Sequence, residues 1–137
     1  MNIDSITNGV VIDHISAGRG MKLYTLLGLD KLDCSVAIIK NVSSRKMGKK
    51  DIIKIDADIE INLDVIGYVD SEATVNIIKD GKLSEKKTIG MPEILKNVIK
   101  CKNPRCITSV EQEIDHVFNL TDKEAGVYRC KYCETKA

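Results

Sequence analysis

Four of the five cysteines in this chain lie in two closely spaced pairs near its end. Cys101 and Cys106 bound the segment CKNPRC, and Cys130 and Cys133 bound the segment CKYC. Two short turns that each present two thiolates are a common way to build a tetrahedral zinc site. A single pair also occurs in redox motifs, but two pairs within about forty residues are typical of a structural metal site. The spacing therefore predicts that these four cysteines bind one zinc ion.

Four thiolate ligands would close the coordination sphere of the metal. A catalytic zinc normally keeps one position open for water or substrate, so the predicted site is structural. The end of the chain, from Ile94 onward, has few large apolar side chains, and a module of this size seldom folds on its own core. Zinc binding is therefore expected to stabilise it.

The sequence gives no sign of an oxidising compartment or of a membrane. The first residues, MNIDSITNGV, lack the basic flank and apolar core of a signal peptide, and no apolar run reaches the roughly eighteen residues that cross a bilayer. Two disulfides would need an oxidising compartment. We therefore expect a reduced, cytoplasmic protein. Cys34, in an apolar strand pattern, is expected to be a half-buried free thiol.

The composition predicts an aliphatic core built on a sheet. The chain has 137 residues, 43% of them hydrophobic, no tryptophan and one phenylalanine. Abundant isoleucine and valine favour strands over a helical bundle. The formal net charge is only +1, whereas proteins that bind nucleic acid usually carry a basic excess. We therefore expect no nucleic-acid partner.

The pattern along the chain predicts the order β, α, β, β, α, β, β. Strands are predicted over residues 9–15, 34–42, 51–61, 73–78 and 83–89, and helices near residues 21–29 and 62–69. Asp80-Gly81 is a pair typical of a type I′ hairpin turn. This order predicts an α+β fold: an N-terminal antiparallel sheet with two helices on one face, ferredoxin-like, and a small all-β C-terminal zinc-binding domain. Met91-Pro92 marks the boundary, giving domains of residues 1–91 and 92–137.

No catalytic motif is present. The chain has no nucleophile elbow, no phosphate-binding glycine loop and no metalloprotease motif, and its two histidines, His14 and His116, are far apart. His116 is expected at the surface.

Lysines near Asp13 and His14 allow two interpretations. Ammonium groups beside this pair would suit phosphate oxygens, but lysines also commonly protect the edge of a sheet, and composition alone favours that second interpretation. The lysines concerned are Lys54, Lys82, Lys86 and Lys87.

Four segments in this order resemble the regulatory chains of aspartate carbamoyltransferase. They are GVVIDHI, MGKKDIIKI, ATVN, and CKNPRC with CKYC. The resemblance runs nearly end to end and implies a non-catalytic subunit. Its N-terminal domain would be the nucleotide-binding allosteric domain, and its C-terminal domain would dock on the catalytic chain through a structural zinc site.

The resemblance also implies effectors and partners. Nucleoside triphosphates would bind the N-terminal domain, with CTP, assisted by UTP in some members, inhibiting the enzyme and ATP activating it. Such control couples pyrimidine biosynthesis to supply. Regulatory chains would pair as homodimers through their N-terminal domains, and three dimers would bridge two catalytic trimers.

Individual positions carry over from the family to this sequence. The resemblance places His14 near the triphosphate and assigns phosphate binding to a lysine of the last strand, for which Lys86 is favoured over Lys82 and Lys87. Base and ribose would be read around Asn76 and Ile78. The implied nucleotide-binding residues are Ile3, Asp4, Ile6, Asp13, His14, Ile52, Lys54, Asn76, Ile78 and Lys86.

Two other classes of function remain open on the residues alone. One is a zinc-ribbon module that binds nucleic acid or another protein, which the near-neutral charge and sparse aromatic residues disfavour. The other is a small enzyme with a structural zinc. Neither accounts for GVVIDHI and MGKKDIIKI together.

Overall fold

A computed structural model describes residues 6–137, and the chain forms two compact units. The first ends at Gly90 and the second runs from Met91 to Ala137. Among the described residues, none of the helices has the length and apolar character needed to span a membrane.

The first unit is an antiparallel sheet with helices. Its elements are β1 (Gly9–Ser16), α1 (Gly20–Leu26), a 3-10 turn (Leu29–Lys31), β2 (Val36–Ser44), β3 (Gly48–Ile55), α2 (Leu63–Val69), β4 (Thr74–Lys79) and β5 (Lys82–Thr88). The described strands pair in the order β2-β3-β1-β4-β5. With β3 placed between β1 and β2, this is the split βαβ arrangement of ferredoxin-like folds. The predicted α+β class is confirmed.

Some predicted boundaries were wrong. The third strand starts at Gly48 rather than Asp51, because the polar side chains of this stretch face solvent while its backbone still pairs with β2. It ends at Ile55 rather than Ile61, and the acidic residues that follow leave the sheet. Helix α1 already ends at Leu26, since Gly28 adopts a left-handed conformation with φ 68°.

Alternation along the strands gives the sheet two different faces. One face carries the aliphatic core against α1 and α2, and α1 packs on β2, β3 and α2. The buried core residues of the strands and helices are Val10, Ile12, Ile15, Ile53, Ile55, Val75, Leu23, Val65, Ile66 and Val69. The other face carries the remaining side chains of the same strands.

A bulge in β1 keeps this core in phase. Ile12 pairs with Ile53 and Ile15 with Asp51, so β1 has one extra residue at Asp13-His14. Without the bulge, Ile15 would point to the other face. Instead Ile12 and Ile15 are both fully buried.

A fully buried carboxylate lies beside this bulge. Asp51 Oδ2 accepts hydrogen bonds from the N–H groups of Gly18 and Gly20, both at 3.0 Å, and Oδ1 accepts from Asn41 N–H at 3.1 Å. A Cβ at Gly20 would lie only 2.9 Å from Oδ2, so the turn into α1 requires glycine there. Asn41, with φ 59°, lies in a second bulge, in β2. Asp51 therefore joins that bulge to the turn between β1 and α1.

The second unit is small and mostly β. Its elements are β6 (Ile94–Lys96), α3 (Ile107–Val110), β7 (Val117–Asp122) and β8 (Val127–Cys130), with the strands in the order β6-β7-β8. Leu95, Phe118 and Tyr128 form the buried centre, and the Tyr128 hydroxyl donates to Pro92 O at 2.6 Å. The predicted small all-β C-terminal domain is confirmed, with a four-residue helix added.

We predict that Asp51→Asn lowers the free energy of unfolding by roughly 2–3 kcal/mol, because an amide NH₂ would face buried N–H donors. Urea denaturation followed by circular dichroism measures the change. The exposed Asp33→Asn is the matched control and should leave the midpoint unchanged. Equal midpoints for Asp51→Asn and the wild type would contradict the role assigned to this carboxylate.

Candidate functional site

The four paired cysteines of the second unit converge on one point. Their Sγ atoms all lie within 4.8 Å of one another, with 3.5 Å between Cys101 and Cys133 and 3.6 Å between Cys106 and Cys130. A disulfide would need about 2.05 Å, whereas sulfurs around one tetrahedral zinc lie about 3.8 Å apart. The cluster therefore has the dimensions of a four-thiolate metal site. Cys34 is half-buried and belongs to the first unit.

Short turns present these sulfurs. Cys106 precedes α3, and its N–H donates to Asn103 O at 3.1 Å, which closes the first turn. Cys130 ends β8, and its N–H donates to Thr135 O at 2.9 Å, so the chain folds back after Cys133. Backbone hydrogen bonds thus hold both turns in a shape that directs their thiols toward one point.

The thiols differ in acidity. Burial raises the pKa of the Cys101 thiol to about 12. The Thr108 side chain, 3.1 Å from Cys106 Sγ, lowers the pKa of Cys106, and the Thr135 side chain lowers that of Cys133 to about 6. Four thiolates therefore coexist here only when a cation neutralises them.

A second candidate site lies on the open face of the first unit's sheet. A cavity of about 460 Å³ opens there, between side chains of β1, β3, β4 and β5. The volume is within the usual range for small-molecule sites. The lining residues are Val11, Asp13, Ile52, Lys54, Asn76, Ile78, Leu83 and Lys86.

One row of paired residues crosses this cavity from β3 to β5. Val11 of β1 pairs with Lys54 on one side and with Asn76 on the other, and Asn76 pairs with Lys86. Adjacent strands lie about 4.8 Å apart, so the backbones of the two lysines are about 14 Å apart. Long lysine side chains can reach toward each other across that distance. The row thus places one lysine on each side of Asn76, with Val11 between Lys54 and Asn76.

The ion pair at one side of the cavity affects its charge. Lys50 Nζ lies 2.9 Å from Asp13 Oδ1. Burial raises the pKa of Asp13. Hydrogen bonds from Lys50 and from the His14 N–H together lower it by more, so the pKa of Asp13 is below its usual value. Asp13 is thus paired with Lys50, and Lys54 and Lys86 bring two ammonium groups to the cavity lining.

Within the described part of the chain, the side-chain oxygen of Asn76 lacks the hydrogen bond that a buried acceptor normally has. Its Oδ1 is buried and has no hydrogen-bond partner among residues 6–137. A buried carbonyl oxygen normally accepts a hydrogen bond. Asn76 lines the cavity, so a rotation of its side chain would let this oxygen accept a hydrogen bond from an N–H donor of a bound molecule.

The structure brings together most of the nucleotide-site residues that the resemblance implies. Asp13, Ile52, Lys54, Asn76, Ile78 and Lys86 line the cavity. Val11 and Leu83 also line it, and neither is among the residues predicted from the sequence. Strict alternation from Asp13 would have found Val11, and the hairpin register, which pairs Ile78 with Leu83, would have found the other.

Two of the implied residues that the structure describes, His14 and Ile6, do not line this cavity. The His14 ring is not part of the cavity lining, and its Nδ1 lies 3.1 Å from Thr74 Oγ1. Ile6 is buried, with 7% exposure. Ile3 and Asp4 lie outside the described residues.

Register separates the three candidate lysines of β5. Lys86 faces the cavity, whereas Lys87 pairs with the core residue Val75 and lines a smaller cavity of about 320 Å³ that also includes Val75. Lys82 is at the start of the strand, next to the turn, and lines neither cavity.

Comparison with known proteins gives the same family for both units. Residues 1–90 match the family model for the aspartate carbamoyltransferase regulatory chain, allosteric domain, and residues 93–137 match the model for its metal binding domain. A regulatory chain of this enzyme from Clostridium botulinum is 51% identical over 98% of this chain and 92% of its own length. The one from Clostridium tetani is 51% identical over 98% and 94%, and the one from Bifidobacterium longum is 44% identical over 100% and 99%.

We predict that Cys106→Ser weakens binding of a thiophilic divalent metal at least 100-fold, because a serine hydroxyl is a poor substitute for a thiolate. Metal content after dialysis and competition with a chromophoric chelator measure this. Cys34→Ser removes a thiol outside the cluster and is the matched control, with unchanged binding expected. Equal loss in both variants would show that the cluster is not the metal site.

Proposed function

We propose that this chain, which belongs to the family of aspartate carbamoyltransferase regulatory chains, binds nucleoside triphosphates in the cavity on the open face of its first sheet. Family membership makes it a non-catalytic chain with an allosteric and a metal-binding domain. The observation that carries the proposal is the row of Lys54, Val11, Asn76 and Lys86 across four strands. We assign the allosteric function to residues 1–91 and the docking function to residues 92–137.

The row suggests how the ligand lies. Lys54 and Lys86 offer point charges for phosphate oxygens. The Asn76 Oδ1, once its side chain turns toward the cavity, would accept an exocyclic amino group, which cytosine and adenine both carry. Ile52 and Ile78 supply apolar surface for the base and ribose. CTP, with UTP, would inhibit the enzyme and ATP would activate it.

His14 and Ile6 do not line the cavity but are close in the chain to residues at or near it. His14 directly follows Asp13 in the bulge, so a change at the cavity can reach its ring through one peptide bond. Ile6 packs close to Gly9, the first residue of β1. We assign Ile6, with Ile3 and Asp4, to the base end of the site.

Regulation follows from linkage. A nucleotide can bias the enzyme only if it binds two quaternary states with different affinity, so the cavity must change shape between them. Phosphates that draw Lys54 and Lys86 toward each other would act on β3 and β5, on either side of the β1-β4 pair. The sheet would pass this change to the rest of the assembly.

The metal of the second unit is, in this proposal, one structural zinc per chain. Four thiolates select zinc among the common divalent ions. The metal-bound unit would dock on the catalytic chain, and exposed apolar side chains on the cysteine-bearing segments support this: Ile107 and Val110 on α3, and Tyr132 between Cys130 and Cys133.

Two regulatory chains would pair through their first units. Strand β2 forms one edge of the sheet as described over residues 6–137, and an edge strand can pair with another chain. The near-neutral charge supports an assembly without nucleic acid or membrane. A reduced compartment, the cytoplasm, would keep the four thiols available for zinc.

We predict that Lys86→Ala weakens CTP and ATP binding about tenfold, since one charged contact to phosphate is lost. Lys54→Ala should have an effect of similar size. Isothermal titration calorimetry on the purified chain measures both. Lys87→Ala removes the neighbouring lysine on the opposite face and should bind as the wild type does. Equal affinity of Lys86→Ala and the wild type would reject the proposed site.

We also predict that assembly depends on zinc. The chain and the catalytic trimer of its own organism should co-elute in size-exclusion chromatography, and prior removal of zinc with a chelator should abolish the complex. Restoring zinc should restore co-elution and the effect of CTP on velocity against aspartate. Co-elution that survives complete zinc removal would contradict the docking role of the metal-bound unit.

A further inference from the structure

His116 links the two ends of the loop that presents the first zinc cysteine. At the loop's start, Asn97 N–H donates to His116 O at 2.7 Å, and His116 N–H donates to Asn97 Oδ1 at 2.9 Å. At its end, the Cys101 N–H donates to His116 Nδ1 at 3.2 Å. His116 is expected at the surface from the sequence, and in the structure its side chain is half-buried.

Other contacts also hold this loop: Asn97 Nδ2 donates to Asp115 Oδ1 at 3.0 Å, and Ser109 Oγ donates to Cys101 O at 3.4 Å. Neither of these two contacts satisfies the Cys101 N–H. Asn97, the residue after β6, has a left-handed backbone with φ 57°, so the chain turns sharply there before it reaches Cys101. Cys101 is buried, and a buried N–H without an acceptor would be costly. The His116 ring supplies that acceptor.

His116 directly precedes Val117, the first residue of β7, and Val117 pairs with Lys96 of β6. The sheet therefore fixes the backbone that carries the ring.

We propose that His116 is a positioning residue for the metal centre: its Nδ1 accepts the Cys101 N–H and fixes the direction in which Cys101 Sγ enters the four-cysteine cluster. The ring then carries its proton on Nε2. His116 is not itself a ligand, because its Nδ1 is directed at a backbone N–H and the cluster found among the described residues consists of cysteines. Groups that orient metal ligands commonly change metal affinity 10- to 100-fold.

The inference rests on the proposed zinc site, and two variants of the full chain test it. His116→Leu keeps the bulk of the ring but has no acceptor. His116→Asn is smaller but has an oxygen at the position of Nδ1. We expect His116→Leu to bind zinc 10- to 100-fold more weakly than the wild type in competition with a chromophoric chelator, and His116→Asn to remain within about threefold. The Co²⁺ absorption spectrum should shift only in His116→Leu.

A neighbouring variant provides the control. Asp115→Asn changes the residue before His116 and weakens the exposed contact with Lys96 at 3.4 Å. Its amide oxygen can still accept from Asn97 Nδ2, now 3.0 Å from Asp115 Oδ1, and the ring stays in place. Its zinc affinity should equal that of the wild type. Equal affinities of His116→Leu and wild type would overturn the inference, and so would equal losses in His116→Leu and His116→Asn, since the bulk of the ring would then matter rather than its acceptor.

A measurement on the wild-type chain decides the matter even where a variant fails to fold. Long-range ¹⁵N NMR should show the His116 proton on Nε2 and an acceptor at Nδ1, and a proton on Nδ1 would overturn the inference. The zinc content of the wild-type chain is measured first. One zinc per chain with no effect of the variants rejects the role of His116 alone, whereas a wild-type chain that binds no zinc rejects the proposed zinc site as well.

Discussion

The geometry of the first unit depends on one buried carboxylate. Asp51 accepts hydrogen bonds from Gly18 and Gly20, in the turn that leads from β1 into α1, and from Asn41, in the bulge of β2. The two bulges flank β3 at this level, one on each neighbouring strand. A buried carboxylate with three N–H donors is stable only while all three are in place, so it fixes both neighbours of β3 in register.

That register allows one sheet to hold a core and a binding surface. Upstream of the bulge, Val10 and Ile12 face the helices while Val11 and Asp13 face the cavity. The extra residue at Asp13-His14 then returns Ile15 to the core. In a regular strand, alternation from Ile12 would place Ile15 on the cavity face, because a shift of one residue exchanges the two faces. The bulge lets both Ile12 and Ile15 face the core, and it places the polar residues Asp13 and His14 between them at the edge of the cavity.

Local patterns predicted much of this molecule, and contacts distant in sequence were the part they missed. The cysteine spacing pointed to the cluster, and the Asp80-Gly81 turn agrees with positive φ at both residues. The choice among Lys82, Lys86 and Lys87 was harder, because a shift between Ile77 and Ile78 interrupts the β4-β5 pairing and simple alternation does not cross it. The hydrogen bonds of His116 were not predicted, because its partners Asn97 and Cys101 are 19 and 15 residues away in the sequence.

The second unit shows why a regulatory chain without chemistry would keep a metal at all. Its described core centres on Leu95, Phe118 and Tyr128, which is little apolar surface for an independent fold. Bringing four thiolates together without a cation would be repulsive, so folding of the cysteine turns and metal binding occur as one event. Ile107, Val110 and Tyr132 are exposed on or beside those turns. In the proposed docking role, this apolar surface would have a fixed shape only in the metal-bound chain, which would limit association to the correctly folded form.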